Sequence, residues 1–208
     1  MPFWVGLILS CAAAYLLGSL SGGIIISKLA KGPDLHTVGS KSTGASNVQR
    51  TMGWKYGLMT FFFDAGKGIL SCLIAQLITG SHMVSLLAGL FCVIGHNWPV
   101  FFRFRGGKGV VTTNLAITVY NPLWGVIANL LGAAIVAATQ YLCLAGPAVP
   151  AVYAVIMFIR GDAEAGVLSL VLTALAVYCH SKSIFGMFNG TTSRTDVIGA
   201  LKKKLSRK

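Results

Sequence analysis

Acidic residues are almost missing from this chain. Asp and Glu number five in 208 residues, against 17 Lys and Arg, for a formal net charge of +12. Charged residues together make up 11% of the sequence. A soluble domain carries roughly 25%, so an ordinary soluble enzyme is excluded as the first expectation. A basic excess in a polar chain would point to nucleic acid. On a chain that is 55% hydrophobic it points instead to a polytopic membrane protein with basic loops, and no nucleic-acid partner is expected. Cysteine is sparse and scattered: Cys11, Cys72, Cys92, Cys143 and Cys179 each sit in an apolar stretch and no C-x-x-C spacing occurs, which excludes a disulfide framework and a zinc site. The 25 glycines follow no three-residue period, so collagen is excluded, and the apolar content excludes disorder.

What is present is long apolar runs. A bilayer-spanning helix needs about 17–25 apolar residues. Phe3 to Ile26 is one such run, too long and without the basic start of a signal peptide. A polar stretch over Lys28–Lys55 follows. Trp54 to Ile78 is the second span, with Asp64 and Lys67 inside it, and Met83 to Val100 the third, ended by Pro99. Asp64 and Lys67 are neighbours on one helix face and are expected to neutralise each other, first of all as a structural ion pair. From Gly109 to Ile159 no charged residue occurs. As one helix that stretch would be about 76 Å long at ~1.5 Å per residue, against a hydrocarbon core of about 30 Å. It must be broken, and Asn121-Pro122 and Gly146-Pro147 are the natural breaks. Ala165 to Cys179 is a last span, short unless it runs on.

Basic loops stay in the cytoplasm. Placing Lys28–Lys55, Arg103–Lys108 and the tail on one face requires an odd number of crossings within the uncharged stretch. One is too few, so three are expected. The expected fold class is therefore an all-α polytopic membrane protein of about seven spans, with the N-terminus outside and the C-terminus cytoplasmic. It forms a single domain over 1–208 with a basic tail from about 192. Only Lys67 and Arg160 fall off the inner face. The fourth span, Val110 to Tyr120, is short and expected to be tilted or partial.

Three polar segments then share the cytoplasmic face. The first, Gly39 to Arg50, is dense in hydroxyls, and Arg50 can grip an anion with two parallel hydrogen bonds. In the second, Gly106-Gly107-Lys108-Gly109, glycines allow a tight backbone turn and Lys108 supplies a point charge for phosphate. It lacks the full P-loop pattern, because Gly109 follows the lysine where Ser or Thr belongs, so a nucleotide site is disfavoured. The third begins at His180, a candidate general acid or base. His96-Asn97-Trp98 ends the third span with the same ambiguity between structure and function. Flexible loop, positive-inside turn and interfacial histidine are the bland alternatives for these segments. No metal cluster and no cofactor motif appear.

Together these segments resemble the bacterial acyl-phosphate-dependent glycerol-3-phosphate acyltransferases, small seven-span inner-membrane enzymes. The family's first segment runs near G-S-G-N-x-G-A-x-N-x-x-R, and Gly39, Ser40, Gly44, Ala45, Asn47 and Arg50 fall in register. Gly95-His-Asn-Trp-Pro-Val-Phe-Phe-Arg-Phe-Arg-Gly-Gly-Lys-Gly-Val-Val-Thr-Thr113 follows its G-H-x-x-P-V-F…G-G-K-G-V-x-T, and Asp64, Lys67 and Gly68 also fit. In the third segment His180, Ile184, Gly190 and Thr191 match. Lys41 and Ser42 depart from a glycine and an asparagine, Ser181 and Gly186 from basic residues, and Ser183 from an asparagine three after the histidine.

The resemblance implies acyl transfer from acyl phosphate to the 1-hydroxyl of glycerol 3-phosphate, giving lysophosphatidic acid, the first step of phospholipid synthesis. It implies a cytoplasm-facing site in the inner membrane, with no obligate protein partner. Ser40, Arg50, Lys108 and His180 are the expected catalytic residues. Gly39, Lys41, Ser42, Gly44, Asn47, His96, Asn97, Gly106, Gly107, Gly109 and Ser183 are the expected substrate contacts. The departures leave a substrate-shifted or inactive paralogue open. A small anion transporter is the rival class, favoured by the broken spans but not by polar residues gathered on one face.

Overall fold

The computed structural model describes residues 2–195; most of the basic tail, with Lys202, Lys203, Lys204, Arg207 and Lys208, lies outside the described residues. Among the described residues there are nine α-helices and no strand: α1 Phe3–Gly18, α2 Gly22–Leu29, α3 Ala45–Met52, α4 Trp54–Thr79, α5 His82–Asn97, α6 Val110–Tyr120, α7 Pro122–Thr139, α8 Ala148–Ile159 and α9 Ala163–Phe188. Among the described residues five stretches are long and apolar enough to cross a membrane: Phe3–Leu29, Trp54–Thr79, His82–Phe102, Pro122–Thr139 and Ala163–Phe188. The apolar helices α6 and α8 bring the candidates to the expected seven. With 11 and 12 residues each reaches only about 16–18 Å, short of the hydrocarbon core, as the fourth span was expected to be.

Breaks fall where the residues dictate. Asn121-Pro122 separates α6 from α7, and Gly146-Pro147 precedes α8. Gly80 closes α4 at φ +67, and the Ser81 hydroxyl accepts from Val84 N–H to start α5. Asp162 caps α9 through Ala165 N–H at 3.1 Å.

Two boundaries differ from expectation. The first apolar run is not one helix: Ser19-Leu20-Ser21 divides α1 from α2. At this point Gly18 lies against the Cys92 backbone, Gly22 against Phe63, and Gly23 against the Thr43 carbonyl, with no room for a Cβ at any of the three. The last span does not stop at Cys179. Nothing in the sequence breaks it before Asn189-Gly190, where Gly190 adopts φ +69, so α9 runs on to Phe188. His180 is therefore inside the helix, about 26 Å along it at ~1.5 Å per residue, and does not begin a polar loop.

The chain divides into two compact units, Met1–Gly125 and Val126–Lys208. In the first, α1, α4, α5 and α6 pack through small residues around Ala14, Ala75, Val84, Ala88 and Cys92. Gly95 meets the Tyr15 carbonyl and Gly89 the Ala116 methyl, the close backbone approach that membrane helices use where the hydrophobic effect gives no drive. Trp4, Phe62, Leu77 and other large apolar side chains point outward, the inverse of a soluble surface. In the second unit α8 and α9 pack together over buried Tyr153, Met157 and Leu172.

Candidate active site

The first polar segment is a built loop. Asn47, 3% exposed, holds it from the first turn of α3. Its Oδ1 accepts from Ser40 N–H at 2.8 Å, and its Nδ2 donates to the carbonyls of Leu35, Val38 and Ser42 at 3.4, 3.2 and 2.8 Å. The amide expected to contact substrate shapes the turn through these bonds. Gly39 and Lys41 both adopt left-handed φ, +58 and +55, to let the chain wrap it. The loop leaves Ser40, Lys41 and, on α3, Arg50 exposed, with Ser42 and Gly44 half-buried beside them. The loop is seated by Thr43, wholly buried where α2 offers Gly23.

The second segment is folded against the end of α5. Gly107 N–H donates to the His96 carbonyl at 3.0 Å. A Cβ at Gly107 would fall on the His96 imidazole, and one at Gly106 on the His96 carbonyl. Gly109, at φ +71, would bring a Cβ within 2.8 Å of Asn97 Oδ1. The glycines expected to cradle phosphate are thus what lets the turn close on His96 and Asn97, and one backbone donor, Gly107 N–H, is already engaged. Lys108 is half-buried between them. The turn leads directly into the N-terminus of α6, whose first turn is tied by Thr113 N–H and Thr112 Oγ1 to the Gly109 carbonyl. A cation beside a helix N-terminus suits an anionic group.

One connection was not visible in sequence. His96 and the Asp64/Lys67 pair, expected separately, meet inside the first unit. Lys67 Nζ lies 3.0 Å from Asp64 Oδ1, and both side chains are 3% exposed. Nζ also reaches His96 Nδ1, Gly18 O and Leu20 O, each at 2.9 Å. The two carbonyls belong to the break after α1. The ion pair expected there is present, and it clasps α1, α4 and α5 to one another. His96 lies on α5 and the pair on α4, so no spacing rule links the imidazole to them.

In the second unit, the His180 ring is buried and rests on Gly146. Its Nδ1 lies 2.8 Å from the Ala176 carbonyl. A carbonyl only accepts, so Nδ1 carries the proton and Nε2 the lone pair, the tautomer a base needs. Ser183 follows one turn later, half-buried, and its carbonyl accepts from Thr192 Oγ1 at 2.8 Å as the chain folds back on α9. Among the described residues no cluster of His, Cys, Asp and Glu could hold a metal ion.

Residues 8–190 match the family model described as "Glycerol-3-phosphate acyltransferase". A glycerol-3-phosphate acyltransferase of Clostridioides difficile is 38% identical over 88% of this chain and 93% of its own length. One from Thermoanaerobacter sp. (strain X514) is 32% identical over 90% and 94%. The crystal structure of PlsY (YgiH), an integral membrane glycerol 3-phosphate acyltransferase in its glycerol 3-phosphate form, superposes at a TM-score of 0.84. It is 35% identical, covering 94% of this chain and 98% of that one. Its lysophosphatidic acid form superposes at 0.81 with the same identity. A transporter reading has no support among these likenesses.

Proposed function

This chain belongs to the glycerol-3-phosphate acyltransferase family, and we propose that it moves a fatty acyl group from acyl phosphate to the 1-hydroxyl of sn-glycerol 3-phosphate. The products are lysophosphatidic acid and inorganic phosphate. The observation that carries this reading is the likeness, along nearly the whole chain, to an enzyme crystallised in a glycerol 3-phosphate form and a lysophosphatidic acid form. The donor follows from the motif resemblance, and a basic turn against a helix N-terminus fits phosphate on either substrate.

The acceptor hydroxyl oxygen attacks the acyl carbonyl carbon, the carbon–oxygen bond to phosphate breaks, and phosphate leaves. Lys108 and Arg50 bind phosphate and stabilise the charge that develops on the carbonyl and the leaving group. Ser40 adds a hydroxyl donor. Gly106, Gly107 and Gly109 hold Lys108 in place. His180, with its lone pair on Nε2, takes the hydroxyl proton. Transfer is direct, with no acyl-enzyme intermediate.

Purified protein given palmitoyl phosphate and glycerol 3-phosphate is expected to release phosphate only when both are present, and His180→Ala to suppress that release. Uptake of glycerol 3-phosphate into liposomes without turnover would overturn the reading. The site faces the cytoplasm of the inner membrane in this proposal, since that orientation keeps all the basic loops inside. A reporter fused after Lys208 should then read cytoplasmic, and an external signal would refute the orientation.

A further inference from the structure

The Asp64–Lys67–His96 cluster takes no part in the chemistry above, yet its hydrogen bonds fix the position of one proton. An ammonium has three N–H donors and no acceptor. Lys67 Nζ has three well-aimed partners at 2.9 Å: the Gly18 carbonyl, the Leu20 carbonyl and His96 Nδ1. Asp64 balances the charge from 3.0 Å, but its Oδ1 receives none of these aimed bonds. Carbonyls can only accept, so all three N–H groups are engaged and Nδ1 must present its lone pair. The competing arrangement, Nδ1–H donating to Asp64, fails on distance: those atoms are 3.6 Å apart. His96 therefore carries its proton on Nε2. Both polar contacts of the ring run through Nδ1, while Nε2 packs against Gly107 of the 106–109 turn, in the place a Cβ would take.

We propose that Asp64 and Lys67 are positioning residues that lock His96 as a neutral Nε2–H donor, aimed at a phosphate group held by the 106–109 turn. Lys67 ties this donor to the α1 break, so the imidazole is fixed from two helices before substrate arrives. A neutral donor adds a hydrogen bond to the phosphate without adding charge beside Lys108. Only the identity of that phosphate, acceptor or donor, rests on the acyltransferase reading.

The test uses the full chain in lipid nanodiscs with imidazole-labelled histidine. Nitrogen NMR of the wild type is expected to show His96 protonated at Nε2 and bare at Nδ1, with the Nε2–H signal moving on addition of inorganic phosphate. In Asp64→Asn/Lys67→Gln, which leaves no lone charge in the span, the proton should redistribute between the two nitrogens. Kinetics give an independent arm. His96→Asn keeps an acceptor near the Nδ1 position but no donor at Nε2, whereas His96→Gln keeps a donor there. His96→Asn should raise KM for one phosphate substrate about tenfold with kcat little changed, and His96→Gln should raise it no more than about threefold. The substrate whose KM rises identifies the phosphate. A wild-type proton on Nδ1, an Nε2–H signal indifferent to phosphate, or equal KM in the Asn and Gln variants overturns the proposal. If the wild type transfers no acyl group, the proposed reaction falls, and the NMR arm still decides the tautomer and its phosphate contact.

Discussion

Lys67→Met is expected to destabilise the protein by about 3–5 kcal/mol, because it leaves a buried carboxylate without its counter-charge. Asp64 and Lys67 stand 10 and 13 residues into α4, about 15–20 Å along it, at a depth where charge is costly whatever scale is used. The two partners are not equivalent. Without Asp64, Lys67 still has two carbonyls and an imidazole as acceptors. Without Lys67, Asp64 loses its strong partner, and the Gly18 and Leu20 carbonyls at the break lose their donor as well, each at a cost of about 1–3 kcal/mol if nothing replaces it. Asp64→Asn should therefore cost clearly less than Lys67→Met, and Asp64→Asn/Lys67→Met less than the sum of the singles. Thermal unfolding in nanodiscs gives the ranking. A Lys67→Met variant as stable as the parent, or an Asp64→Asn variant that suffers more, would show that the cluster does not hold the helices together.

The same cluster marks the limit of what the sequence discloses. Periodicity and charge distribution were enough for the helical class, for the breaks at Pro122 and Pro147, and for the short fourth span, because proline, glycine and burial act locally. The break at Ser19–Ser21 was not legible. It depends on Gly18 and Gly23 meeting the backbones of Cys92 and Thr43, and such contacts are set by tertiary approach. The helix α9 continues past the apolar run through Lys182, because a basic side chain near a helix end can snorkel to the interface while the helix goes on. At the candidate site, the motifs marked the segments by composition but not the packing roles within them. Asn47 and the glycines at 106, 107 and 109 have the composition of a phosphate cradle, yet the structure uses them to shape and seat the turns that present Ser40 and Lys108. Residue type says what a side chain can bond. Only packing says which of its bonds are already made.

Lys108→Ala is expected to lower kcat/KM by about 10²–10³-fold, the loss typical of removing one preorganised donor to a developing anion. The stability of the variant should stay within about 0.5 kcal/mol of the parent, since a half-buried side chain on a glycine turn makes little core. That pairing of a large kinetic loss with a small thermal one separates a reacting-site lysine from a positive-inside lysine, whose removal would alter neither activity nor unfolding. It also separates Lys108 from Lys67, whose loss falls first on stability. Lys108→Arg should recover only part of the rate. Charge is retained, but the planar fork replaces a compact ammonium in a turn that Gly107 and Gly109 close tightly on His96 and Asn97. Initial rates with palmitoyl phosphate, alongside unfolding of the same preparations, provide both readings. If Lys108→Ala turns over within threefold of the parent, the charge beside the α6 N-terminus serves orientation in the membrane alone, and the burden of stabilising the leaving phosphate passes to Arg50 on α3.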